Sequence, residues 1–121
     1  METSTIPILK SGDCLISSPQ VALHDKLAVQ FKNEVLQQAI ETRAKGFVLD
    51  VSAIDVVDSF LVRQIGEIAA SLNIMGTQTI VVGIRPEVAM TLVEMGYSPE
   101  RMQTAPNLEI GLKTLQKTWR I

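Results

Sequence analysis

Two short runs, FVLDVS at 47–52 and TIVVGI at 79–84, are rich in β-branched residues and apolar at consecutive positions rather than alternate ones. A strand that is apolar on both faces has to be covered on both, as parallel strands are when helices lie above and below them. Between the runs, Leu61, Ile65, Ile68, Leu72 and Met75 recur at helical spacing, and the stretch ends at Gly76, a natural residue to follow a helix. Strand, helix and strand on this scale restrict the chain to the α/β class.

The flanking segments extend this unit. IPIL (6–9) and CLISSPQV (14–21) enclose Lys10-Ser11-Gly12-Asp13, where Gly12 suits a turn, and read as an antiparallel strand pair. HDKLAVQFKNEVLQQAIETRAKG (24–46) reads as a helix with Asp25 near its start, Arg43 and Lys45 in its last turn, and Gly46 just past its end. RPEVAMTLVEMG (85–96) places Pro86 at a favourable first helical position and stops at Gly96. A weak strand near MQTA (102–105) and a helix over NLEIGLKTLQKTW (107–119) complete the order β-β-α-β-α-β-α-β-α. The expectation is a mixed sheet of four to five strands flanked by about four helices, in a single domain over 1–121.

Size and charge narrow the function classes. With 121 residues, 46% of them hydrophobic, the chain suits one core. Eleven basic against thirteen acidic residues, a net charge of −2 and no Lys/Arg stripe give no electrostatic footprint for nucleic acid. No apolar run approaches the roughly 18 residues of a membrane span. METSTIPILKSGD lacks the pattern of a signal peptide, and the lone Cys14 forms no internal disulfide, so a cytoplasmic home is expected. Aromatic residues are 4% of the chain, too few for a stacking platform. The one histidine, His24, has no partner motif, and Gly66, Gly76, Gly83, Gly96 and Gly111 assemble no phosphate-cradling loop. The reading is a protein that is not an enzyme and uses neither metal nor cofactor.

The most informative stretch is DVVDSFLVRQ at 55–64, where a helix begins. Asp58 is a good cap, and a negative side chain at a helix start is favoured by about 0.3–1 kcal/mol. With the core stripe centred on Leu61 and Ile68, Ser59 falls on the opposite side of the helix and faces solvent. Phe60 falls on the flank shared by Gln64, Glu67 and Ser71, which points to a partner's surface rather than the core. An Asp-Ser pair at a helix start commonly does no more than cap. Were Ser59 phosphorylated, a charge of about −1.5 to −2 would meet the exposed helix amides while Asp55 and Asp58 repelled it. The product would be a strongly acidic knob, an electrostatic switch for binding.

These residues carry a family resemblance. FVLDVSAIDVVDSFLVRQIGEIAASLNIMG (47–76) resembles the STAS domain of anti-anti-sigma factors, in which a strand with an aspartate near its end precedes an Asp-Ser pair that opens a helix. IPILK at the start, DSF at 58–60, IMG at 74–76 and VGI.PEVA.TL.E.G across 82–96 are similar to the stressosome branch of that family. Most STAS anti-anti-sigma factors have a small residue and a glycine after the phosphoacceptor. Phe60-Leu61 stand here instead, which favours the stressosome branch over the alternative, a stand-alone anti-anti-sigma factor that binds an anti-sigma kinase.

The resemblance implies a STAS fold and a non-catalytic scaffold, a homo-oligomer (dimer or larger) that assembles with paralogous STAS-domain sensors. It implies a serine kinase held by the assembly and released upon phosphorylation of Ser59, with a phosphatase to reset the system. The output would be an anti-sigma/sigma-factor or related stress pathway. The implied kinase-binding residues are Asp55, Asp58, Ser59, Phe60 and Arg63, Asp58 matching the family's flanking acidic position.

A rival from another class is a receiver-like domain with Mg²⁺ and a phosphoaspartate, suggested by Asp50, Asp55 and Asp58 at a strand's carboxyl end. It needs an acidic pair after its first strand and a late lysine. IPILK and CLISS supply no such pair, and TAPN no lysine, so Asp50 reads as a polar strand residue or a hydrogen-bonding anchor. Cys14 reads as a small buried hydrophobe, Met75, Met90, Met95 and Met102 as core or interface filler. Trp119 either docks the last helix or meets a neighbour. On the first helix, Leu36 and Ile40 stand apart from Leu27 and Phe31 and have no obvious internal partner; Val29 is an equal candidate. The expectation there is a surface covered by another molecule.

Overall fold

The computed structural model describes residues 6–20, 23–54, 58–96 and 102–119. Its elements run β1 (Leu9–Ser11), β2 (Cys14–Ser17), α1 (Asp25–Thr42), β3 (Gly46–Asp50), α2 (Ser59–Ile74), β4 (Gln78–Val82), α3 (Pro86–Glu94), β5 (Gln103–Ala105) and α4 (Leu108–Trp119). The five strands form one sheet in sequential order, with β1 antiparallel to β2 and the other pairs parallel. A receiver domain has the order 2-1-3-4-5 with all strands parallel, so the rival reading fails on topology.

Along β3 and β4, successive side chains go to opposite faces, and both faces are buried. Phe47, Leu49 and Val81 meet α1, α2 and α3 through residues such as Phe31, Val35, Ile68 and Leu92. Val48, Ile80 and Val82 meet Leu115 of α4, joined by Cys14 and the partly buried Leu108 and Leu112. Three helices thus cover one face and a single helix the other. That helix approaches closely because Gly111 faces the sheet: a Cβ there would lie 2.7 Å from Val82 Cγ1.

Burial on the α4 side pushes the Cys14 thiol up to about 11, against a slight opposing pull from a backbone hydrogen bond at Val48. Cys14 is the small buried hydrophobe that its sequence context suggests.

Three expectations are corrected. The first strand begins at Leu9, so most of IPIL precedes it, although Ile6 is buried. The first helix ends at Thr42, and Gly46 opens β3, paired with Cys14 and Gln78, instead of following the helix. The left-handed position after the helix belongs to Arg43, at φ 52°. On α1, Leu36 packs half-buried against the core, whereas Ile40 (58% exposed) and Val29 stay open. Met75 and Met90 are exposed, Met95 is half-buried and Met102 buried. The side chain of Trp119 lies outside the described residues.

Candidate functional site at the start of α2

Asp58 caps α2. Its backbone is extended, and its Oδ1 accepts a hydrogen bond from the Leu61 amide at 2.9 Å, while its carbonyl accepts from Val62 N. The cap satisfies one of the amides that a helix start leaves without a partner. Ser59 is therefore the first helical residue, and it is exposed. Arg63, four residues on, is exposed on the same side, within reach of a group carried by Ser59. Asp55 lies outside the described residues.

Phe60 departs from expectation. It is half-buried and packs against the main core, so its ring is not a free surface anchor. Gln64, on the same flank, is only 6% exposed. The reason is α1, which lies along that flank and is tied to α2 by Lys32 Nζ and Glu67 Oε2 at 3.0 Å. The Gln64 Oε1 finds no hydrogen-bond donor among the described residues, and the side chain lines a cavity of about 10 Å³ with Leu49, Ile54, Leu61 and Ile68.

Just after β3, a polar cluster fixes the backbone at Ser52. Asp50 accepts from Ser52 N at 2.9 Å through Oδ1 and from Ser18 Oγ at 3.3 Å through Oδ2, the anchoring role expected for it. The Arg85 guanidinium donates twice to the Ser52 carbonyl, at 3.2 and 3.0 Å. Gly83 stands at φ 72°, where a Cβ would lie 2.8 Å from Ser52 Cβ and 2.9 Å from Asp50 Oδ1. Only glycine suits both that backbone and that crowding. Arg85 and Ser52 are 33 residues apart, and no local sequence signal announces their contact. His24 is a cap as well: its Nδ1 accepts from Leu27 N at 3.3 Å at the start of α1.

The site is thus a capped helix start that displays a hydroxyl. The family model that matches the chain, the STAS domain, covers residues 5–109. The chain belongs to the STAS-domain family.

Among solved structures, the chain is similar to a glutamate-for-serine variant of RsbS from Moorella thermoacetica, with 39% identity and a TM-score of 0.88 over 98% of this chain and all of that one. A chain from the molecular architecture of the stressosome, described as a signal integration and transduction hub, is 41% identical with a TM-score of 0.83, over 95% of this chain and all of that one. The RsbT co-antagonist protein RsbRD of Bacillus subtilis is 34% identical over 78 residues, which is 64% of this chain and 28% of that protein. Its paralogue RsbRA is 23% identical over 94% of this chain and 42% of its own length. The chain therefore spans less than half the length of these curated relatives. This STAS domain has stressosome proteins among its relatives, and they are regulatory. Among the described residues, no helix is long and apolar enough to cross a membrane.

Proposed function

We propose that this protein is a non-catalytic scaffold of a stressosome-type assembly in the cytoplasm, which holds a serine kinase and releases it once Ser59 is phosphorylated. The observation that carries the reading is the exposed Ser59 at the first position of α2, immediately after the capping Asp58. A phosphate on Ser59 would bring a charge of about −1.5 to −2 to a helix start, where amides and the helix dipole favour it. Arg63 stands one turn away to receive it. Asp58, and Asp55 before it, oppose the same charge, so the surface changes from mixed to strongly acidic. A partner seated on the neutral form would then meet repulsion.

The similarity to RsbS and to the stressosome chain supports assembly with paralogous STAS-domain proteins, and the co-antagonist relatives support restraint of a partner protein. The family resemblance implies that this partner is a serine kinase and that a phosphatase restores the starting state. Asp58, Ser59 and Arg63 form the proposed kinase-facing surface, with Asp55 three residues before Asp58 in the sequence; Phe60 packs into the core beside it. The test is capture on immobilised protein. A serine kinase of the switch type should be retained without ATP and eluted with it. It should stay bound to Ser59→Ala in ATP and fail to bind Ser59→Glu. Equal retention by all three forms in ATP would refute release by phosphorylation.

A further inference from the structure

At the end of the molecule opposite Ser59, the C-terminal ends of α1 and α2 enclose a groove of about 440 Å³, lined by Ile40, Arg43, Lys45, Met75 and Thr77. Its floor is apolar and open: Met75 is 43% exposed, and the neighbouring Ile40 more so. Its rim is basic. Arg43 is exposed at the left-handed helix end, and Lys45 reaches only a loose pair with Asp13, at 3.7 Å. A groove of this kind calls for an apolar segment flanked by acids.

The chain carries such a segment itself. The helix α3 buries Val88 and Leu92 and leaves Met90 and Val93 64% and 71% exposed, side by side at a spacing of three. Glu87 and Glu94, both exposed, lie three residues before and four after Met90 and flank that strip. In the helical layer α2 packs against both α1 and α3, so the strip on α3 and the groove at the ends of α1 and α2 belong to different parts of that layer. Exposed apolar patches rimmed by polar residues mark interaction sites.

We propose that α3 of one copy docks in the α1/α2 groove of the next, with Met90 and Val93 against Ile40 and Met75, and Glu94 and Glu87 against Arg43 and Lys45. Each copy offers one knob and one groove, so the contact is heterologous and propagates from copy to copy until a ring or shell closes. The inference rests on the assembly part of the proposed function and names the surface that performs it. It leaves the Ser59 end of every copy free for the kinase.

Sedimentation velocity on the full chain over a concentration series tests this. The wild type should self-associate, less so as salt rises, and Ile40→Glu or Met90→Glu should each raise the dissociation constant at least about tenfold. Arg43→Glu and Glu94→Arg should each weaken association, and the double variant Arg43→Glu/Glu94→Arg should recover it. Circular dichroism and melting of each variant establish that it is folded, which these exposed positions favour. Wild-type assembly unaffected by all four single changes would overturn this surface and leave the scaffold function standing. Single losses without recovery in the double variant would overturn the charge pairing on which the orientation rests. A wild type that stays monomeric alone and with paralogous STAS partners would overturn both the surface and the scaffold.

Discussion

Replacing Asp58 separates what the start of α2 contributes to folding from what it contributes to recognition. Asp58→Ala removes the Oδ1 that accepts from Leu61 N at 2.9 Å, and the loss of such a cap costs typically about 1 kcal/mol. It also removes a negative charge from the helix start, worth about 0.3 kcal/mol at an exposed position. The sum is about 1–1.5 kcal/mol, which for a domain of this size lowers the melting temperature by roughly 3–6 °C. Asp58→Asn keeps an acceptor in place and should lose only the smaller part. Urea unfolding followed by circular dichroism measures both, and the midpoint should fall with an unchanged slope. If alanine is tolerated as well as asparagine, or asparagine costs as much as alanine, the cap is not what Asp58 supplies. Phosphorylation of the well-folded Asn variant then reports on the charge alone.

Two further outcomes follow from buried groups. Gln64→Leu removes a desolvated carbonyl that finds no donor among the described residues from an apolar lining at similar volume, so stability should rise by up to about 1–3 kcal/mol. A loss above about 1 kcal/mol in urea unfolding would show that the amide is satisfied in solution. Cys14 keeps its proton in the folded state up to about pH 11, whereas its ordinary value is 9.0. Between those values the unfolded chain holds fewer protons, so stability falls as pH rises, by up to about 1.4 kcal/mol per unit. Below pH 9 this contribution is fully retained. Cys14→Val should lack that decline, and parallel stability curves for the two proteins across this range would contradict the burial argument.

The parts of the fold legible in the sequence are those fixed by chain-local chemistry. The doubly apolar β3 and β4, the Pro86 start of α3 and the Asp58 cap all follow from residue type and spacing. The parts that were not legible depend on neighbours distant in sequence. Gly46 reads as a helix terminator, but pairing with β2 and β4 draws it into the sheet, and Arg43 takes the left-handed turn that sequence rules assign to glycine. Phe60 and Gln64 sit on a helix flank that is polar by composition, yet α1 lies along it, and Gln64 is buried and Phe60 half-buried there. At the site, Ser59 and Asp58 were legible because capping is local. The clamp of Arg85 on Ser52 was not, since it joins two loops across the carboxyl end of the sheet.

The central claim is that Ser59 accepts the phosphate, and peptide mass spectrometry after incubation with ATP and a serine kinase of the switch type tests it most directly. The account predicts a single phosphate, located on Ser59 and absent from Ser59→Ala. A phosphate on another residue, or equal incorporation into the Ser59→Ala protein, would contradict it.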